Sequence, residues 1–417
     1  MNILMANWTW YPSGGDWTYI DSVCKIYESH GHNIIPFSVH NEKNIPTPYE
    51  KYFLDSVDYK AFYNKIPLKQ GIKTAINSIY SNEAKKKLRL LLSENKVDIA
   101  QLNNITGYHT PSIIPVFKEA NIPIVWRVLD YRLICPNSTL LSHDKICEAC
   151  INGRFYNCVL KKCKKNSLLA STLLAVENYV YSLLPIYKHV DLFSFQSEFT
   201  RDKFVQFGYD IKKTHIIENP YDASDAKPVY SGKGYILYFG RISKEKGILT
   251  LLHAMKSLPD IELKIVGNGP EYDDYVNFIN TNNLKNVSFL GPKWGKEIEP
   301  VIKDCEAVIV PSEWNEPSGY VILQAFSYGK PVISTNMGGL SDIITNGQNG
   351  LFFEAGNTAE LSNRISSLLS NKQKIARMGE NGRKVVEKKY NPERYYADTI
   401  NIFQKLIDSK KQYANSN

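Results

Sequence analysis

Nowhere does this 417-residue chain hold about 18 consecutive apolar residues, which argues against a membrane-spanning helix. Its start, MNILMANWTW, lacks a basic lead and a long apolar centre, so it reads as a first strand rather than a secretion signal. Arginine-rich tracts and zinc-finger spacing of the DNA-reading kind are missing, and nucleic acid is not an expected partner. Neither sign of charge dominates. Fifty Lys and Arg against 42 Asp and Glu leave +8, spread along the chain. Mild, diffuse basicity suits anionic ligands or an anionic membrane surface. No internal repeat shorter than a domain stands out.

What is present is ordinary globular material, 43% hydrophobic and 22% charged, in a length that favours two domains. Short apolar runs alternate with helical periodicities. In the first half, strands are expected at 3–6, 33–39, 97–102, 124–128 and 190–195. Helices are expected after Gly14-Gly15, at 112–120 and at 198–206. The Tyr-, Lys- and Pro-rich stretch 41–80 is left unassigned. The second half predicts strands at 235–239, 263–266, 287–289, 307–310, 332–334 and 351–353, nearly all separated by helices. Such alternation implies an α/β fold with parallel sheets and right-handed crossovers. Two units follow, joined near residues 219–234, with a last helix at about 392–407 beyond the second set of strands. The least polar stretch, Ser167–Ile186, carries Glu177 and Asn178 inside it. It reads as a core helix, with an interfacial helix as the alternative.

The richest segment is VIVPSEWNEPSGYVILQAFSYGKPVIS, residues 308–334. A strand, a polar loop with an acid at its rim and a helix N-terminus facing that loop are how open α/β sheets present a ligand site. Glu316 precedes Ser318-Gly319, and Gln324 follows on the helix. Carboxylate and amide can therefore address two ends of one ligand through its hydroxyls. The plain alternative for Glu316 is a solvated surface acid. In FGRISKEKGI, Arg241 and Lys246 follow a strand, and two cations there can neutralise a diphosphate; an exposed basic loop is the alternative. Gly14 and Gly15, and the glycine turns at Gly267 and Gly291, either let a ligand approach the backbone or merely turn the chain.

Taken together, these motifs resemble the retaining, nucleotide-sugar-dependent glycosyltransferases of family 4, also called group 1 glycosyl transferases. The resemblance rests on the Gly14-Gly15 loop, VDLFSFQSEFTRDKFVQFG, IIENPYD, YFGRISKEKGI, LKIVGNGPE and PSEWNEPSGYVILQAFSYGKPVI. It implies the GT-B architecture of two facing Rossmann-like domains. Residues 1–218 would form the acceptor domain and 219–391 the donor domain, while 392–417 would return to the first. It also implies roles. Gly15, Arg241 and Lys246 would hold the donor diphosphate, with the Ser318 and Gly319 amides assisting. Glu316 would meet the donor sugar, Gln324 the ribose, and the Gly267 and Gly291 loops the base. No catalytic metal is expected, because cations and helix dipoles stabilise the leaving diphosphate.

The donor would be UDP- or GDP-linked. The acceptor would be a glycan or polyprenyl-linked glycan, as in bacterial capsule, O-antigen or other surface polysaccharide assembly. The expected location is cytoplasmic, with possible peripheral contact at the inner membrane face. The sequence departs from the family at Leu129 and Asn103, where His is usual, and at Gln324, where a second Glu is usual. These departures leave a catalytically impaired, nucleotide- or glycan-binding scaffold as the alternative function. A sugar-nucleotide epimerase is a third reading, which the Arg241, Lys246 and Glu316 set argues against.

Five of the seven cysteines, Cys135, Cys147, Cys150, Cys158 and Cys163, crowd into one insertion, 135–163. A C-x2-C with further cysteines nearby points to structural zinc. Disulfides and free buried thiols remain open as alternatives. Asp130 and Arg132 precede the insertion at a strand end. Arg132 would face an acceptor phosphate or pair locally with Asp130. The lysine-rich run 161–165 beside Ser167–Ile186 is a candidate membrane-surface patch, or simply a solvated basic loop.

Overall fold

The computed structural model describes residues 1–56 and 77–415. Residues 57–76, within the stretch left unassigned from sequence, lie outside the described residues. The N-terminal part runs β1 (Asn2–Ala6), α1 (Gly15–Ser29), β2 (Asn33–Phe37), α2 (Asn82–Glu94), β3 (Ile99–Leu102), α3 (Ile114–Glu119) and β4 (Ile124–Arg127). A hairpin of β5 (Leu141–Ser142) and β6 (Lys145–Ile146) follows, then α4 (Tyr156–Leu160) and α5 (Leu168–Leu183). β7 (Leu192–Phe195), α6 (Glu198–Gln206) and β8 (Thr214–Ile216) complete this part.

The second part runs β9 (Tyr235–Phe239), α7 (Ile248–Met255), β10 (Glu262–Val266), α8 (Tyr272–Thr281), β11 (Val287–Phe289), α9 (Glu299–Asp304) and β12 (Ala307–Val310). It continues with α10 (Tyr320–Ser327), β13 (Val332–Thr335), β14 (Gly350–Phe353), α11 (Thr358–Leu369), α12 (Lys372–Lys389) and α13 (Pro392–Asn415).

Two six-stranded sheets result, in which every strand pairing is parallel. Their orders are β2-β1-β3-β4-β7-β8 and β11-β10-β9-β12-β13-β14. Central strands such as YILYF and AVIV are buried along their whole length. Continuous apolar runs belong in sheets covered by helices on both faces. In each sheet the winding direction reverses once, between β1 and β3 and between β9 and β12. Loops leaving the C-terminal ends of strands at such a reversal splay apart, and ligands bind there.

The expected strands appear within a few residues of their predicted ends. β8 and α2 lack a clear sequence signal, because THI is short and α2 carries many lysines on its outer face. The helix expected at 112–120 is split into a tight turn, Pro111–Ile113, and α3. The expectation for Ser167–Ile186 needs correction. A helix forms and buries Ala170, Ala175 and Tyr181, but its leucines face outward: Leu169 is 71% exposed and Leu183 79%, while Glu177 is only 3% exposed.

Two devices join the parts. Fully buried Arg127, at the end of β4, donates to Ile217 O at 2.7 Å and Asn219 Oδ1 at 2.6 Å. The last helix crosses back to the first sheet. Tyr395 on α13 meets Tyr19 on α1, hydroxyl to hydroxyl at 2.7 Å, and Tyr396 stacks on His30 at 3.6 Å. Phe403 and Ile407 are buried in the cluster that holds Ile20 and Tyr27.

Candidate functional site

Neighbouring strands β9 and β12 place their following loops side by side. Gly247 makes this contact possible. Its φ of +68° is left-handed, and a Cβ there would lie 1.8 Å from the Pro311 carbonyl oxygen. No residue but glycine fits so close an approach in that conformation. The contact brings Lys246 Nζ to 2.6 Å from Glu316 Oε1, across seventy residues of sequence. Ser312 Oγ donates to the same oxygen at 2.6 Å. The ammonium also lies 5.4 Å from the centre of the Trp314 ring. Glu316 is 7% exposed, so this is a partly desolvated carboxylate with two donors. Its backbone is pinned as well, since Gly339 N donates to Glu316 O at 2.7 Å.

Arg241 sits on the same β9 loop with an exposed side chain. Its carbonyl accepts from Tyr238 OH at 2.7 Å, which fixes the loop. Burial pushes the Tyr238 phenol well above its ordinary pKa, and the Glu316 carboxylate adds to the shift. Beside this loop, Gly267 N donates to Gly291 O at 3.1 Å and Gly240 N to Val266 O at 3.0 Å. The ends of β9, β10 and β11 thus form a ledge made of backbone. α10 begins at Gly319 with no side chain capping it, and Ser318 just before it is half-buried. Gln324 is half-buried farther along the same helix. The second sheet thus brings Lys246 and Glu316 into direct contact, with Arg241, Gly267 and Gly291 on neighbouring strand-end loops and Gln324 farther along α10.

The first sheet's reversal is more open. Gly14 caps α1 with φ +139°, and a Cβ on Gly15 would meet nothing within 4 Å. Asp16 accepts from Trp17 N and from Asn104 Nδ2. Asn103 is buried, donating to Ala6 O at 3.2 Å. Leu129 packs in the cluster that Tyr320 of α10 also touches. Asp130 accepts from Arg132 N at 2.8 Å. Burial raises its carboxyl pKa, although that hydrogen bond and the Arg132 charge oppose the shift.

Arg132 does not present a free guanidinium to an acceptor. Nη2 is held by Glu177 at 2.6 Å and Nη1 by Pro136 O at 2.6 Å. The local ion pair expected with Asp130 is replaced by this pair with α5; Asp130 takes the Arg132 backbone amide instead. The sequence offers no signal for it, because Glu177 lies 45 positions away on a helix read as apolar.

The two rims meet. Ser197 Oγ at the start of α6 donates to Pro317 O at 3.1 Å, and Trp314 packs on the core of the first part. Ser312, Trp314, Tyr238 and Gly339 are site residues that sequence reasoning passed over. Ser312 and Trp314 lie in the segment singled out, but a loop has no periodicity to show which side chains turn inward.

The five insertion cysteines line one small cavity with Pro136, Asn137 and Leu140. None is in a disulfide. The Cys158 thiol donates to Cys163, which draws the Cys163 pKa down to about 6, while Cys158 is pushed up. The donor set suits a thiophilic ion. Among the described residues, however, no group of three or more His, Cys, Asp or Glu is placed to hold one.

Residues 222–385 match the family described as glycosyl transferases group 1. An uncharacterized glycosyltransferase of Methanocaldococcus jannaschii is 33% identical over 172 residues, 41% of this chain and 48% of that protein. The chain thus spans about half the length of that relative. Among solved structures, sucrose-phosphate synthase from Thermosynechococcus elongatus superposes with a TM-score of 0.73 at 17% identity, covering 98% of this chain and all of that one. Anabaena HepE in complex with UDP gives 0.67 at 18% identity, covering 97% and 100%. The shared fold is GT-B.

Proposed function

From the premise that residues 222–385 are a group 1 glycosyltransferase domain, we propose that the chain transfers a sugar from a nucleotide diphosphate sugar to a glycan or lipid-linked glycan. One observation carries the reading. Lys246 and Glu316 converge, with Ser312, at the winding reversal of the second sheet, where a donor would lie.

In this reading Lys246 and exposed Arg241 take the diphosphate, and the amides at Ser318 and Gly319 assist from the start of α10. Glu316 exchanges its lysine partner for sugar hydroxyls. Gln324 meets the ribose, the Gly267 and Gly291 ledge meets the base, and Gly15 approaches the phosphates from the facing rim. As the glycosidic bond breaks, negative charge grows on the leaving diphosphate. Cations already fixed nearby stabilise it without reorganising. Attack by the acceptor on the face the diphosphate leaves would retain configuration, as in family 4, and needs no catalytic metal.

A UDP donor is favoured because HepE, similar in fold, was solved with UDP and with UDP-glucose. A surface polysaccharide acceptor is the corresponding proposal on the other rim. For the insertion, one structural zinc is proposed from the C-x2-C spacing and the shared cavity alone; as placed, the thiols do not form a ligand set, so binding would have to draw them together. About one zinc per chain by elemental analysis supports it, and metal-free protein whose melting is indifferent to chelator sinks it.

Thermal shift against UDP, GDP, ADP and TDP and their sugar conjugates tests the donor site. At 100 times its dissociation constant a ligand stabilises by about 2.7 kcal/mol. A shift with one nucleotide, reduced in Lys246→Ala, supports transfer. A bound nucleotide sugar with no turnover of any acceptor would favour the scaffold reading instead. Leu129, an apolar residue packed on the same cluster as Tyr320, is the observation behind that alternative.

A further inference from the structure

α5 turns its leucines to solvent while burying a carboxylate. On a helix, residues three and four apart share a face. Leu168, Leu169, Thr172, Val176 and Leu183 make the outward face, and all are exposed. Ala170, Ser171, Ala175, Glu177, Asn178 and Tyr181 point the other way and are buried, so the inner face is mixed, with Glu177 paired to Arg132. Water-facing helices ordinarily show the opposite arrangement. The excess does not stop at the helix. Leu160 is 73% exposed, and Tyr156 and Leu184 are exposed too. Half of the large hydrophobic side chains that stand exposed among the described residues fall within 156–184. Lone exposed leucines need no explanation, but a contiguous stripe of them does.

Charge says what covers the stripe. Lys161, Lys162 and Lys165 are exposed at its N-terminal end. The single acid in α5, Glu177, is buried on the far side, so α5 itself sets no carboxylate against an anionic surface. No helix among the described residues is long and apolar enough to cross a membrane. A 16-residue helix with this face would instead lie along a bilayer surface, its leucines among the acyl chains and its lysines among the headgroups.

We propose that the outer face of α5, with the lysines preceding it, docks the protein on an anionic lipid bilayer. The Arg132–Glu177 pair ties α5 to the loop after β4, so docking would set the first sheet's rim close to the lipid surface. The proposal is independent of the transfer reading and stands or falls on binding alone.

Flotation of the purified full chain with vesicles tests it. The chain should float with vesicles containing phosphatidylglycerol and far less with phosphatidylcholine alone, and added salt should weaken the binding. Lys161→Gln, Lys162→Gln and Lys165→Gln together should cost about a hundredfold in affinity, from about 1 kcal/mol per lysine. Leu169→Asn with Leu183→Asn, both exposed and so expected to leave melting unchanged, should abolish flotation. No flotation with either vesicle would overturn the proposal, as would flotation indifferent to the leucine pair. A dimer in sedimentation that the leucine pair dissolves, without vesicle binding, would assign the face to a second copy of this chain and overturn it equally.

Discussion

The two sheets are both six-stranded, parallel and reversed once, but their strand orders differ and so do their rims. In the second, backbone touches backbone: Gly247 lies against Pro311, Gly267 against Gly240, and Gly338 against Glu316. Its two central strands, β9 and β12, are apolar throughout. In the first, Gly14 and Gly15 face open space, and neutral polar side chains such as Asn7, Gln101 and Asn103 are buried beneath the rim. Backbone contact fixes a loop to within tenths of an ångström, because nothing in it can change rotamer. Side-chain packing leaves more choice. Under the proposed function, a rim holding a diphosphate and a sugar in one register would gain from the first design, and a rim suiting one acceptor among many from the second.

The sharpest way to break this contrast is Gly247→Ala. The new Cβ has no room beside Pro311 O and the backbone is left-handed, so a loss of more than about 4 kcal/mol is expected in denaturant unfolding. A loss below about 1 kcal/mol would show that the two loops are not locked together.

Lys246→Ala should leave stability nearly intact while lowering kcat/KM for transfer by about 10²–10³, the size of effect seen when one fixed donor to developing charge is removed. An equal fall in stability and activity would mean the pair with Glu316 is structural.

On the first sheet, pH is the probe. His109 is buried, donates from Nε2 to Phe37 O at 2.9 Å, and has its pKa lowered to about 4 by burial. Its unfolded value is about 6.5. The unfolded chain therefore binds the proton first on acidification. This contribution is whole above pH 6.5 and is lost as pH falls to about 4, amounting to about 3 kcal/mol. His109→Gln should flatten the melting profile over that window; an unchanged profile would place the titration elsewhere.

The smallest effect is expected at Gly15→Ala. Space is open there, and alanine favours a helix start over glycine, so melting should rise by the equivalent of about 0.5–1 kcal/mol. A large loss would show that Gly15 is as crowded as Gly247, and the contrast between the rims would disappear.

Much of this was legible before any coordinates. Val308–Val310 and Tyr235–Phe239 announce buried strands because unbroken apolar runs have nowhere else to go. Arg241, Lys246 and Glu316 announce a site because each follows such a strand. What stayed hidden was contact across distance. Nothing in the order of residues says that Lys246 meets Glu316, that Arg132 meets Glu177, or that Gly247 must clear Pro311.

α5 shows the boundary most clearly. Its sequence fixes a helix with one apolar and one polar face, because periodicity is a local property of the chain. Which face turns inward depends on what the rest of the chain places beside it. Here Arg132, a half-buried arginine on the loop after β4, claims Glu177, and that demand turns the leucines out to the surface. Sequence by itself determined the elements, their alternation and the residues on each loop. Tertiary structure alone decided which of those loops touch and which helix face meets solvent, since both depend on partners far away along the chain.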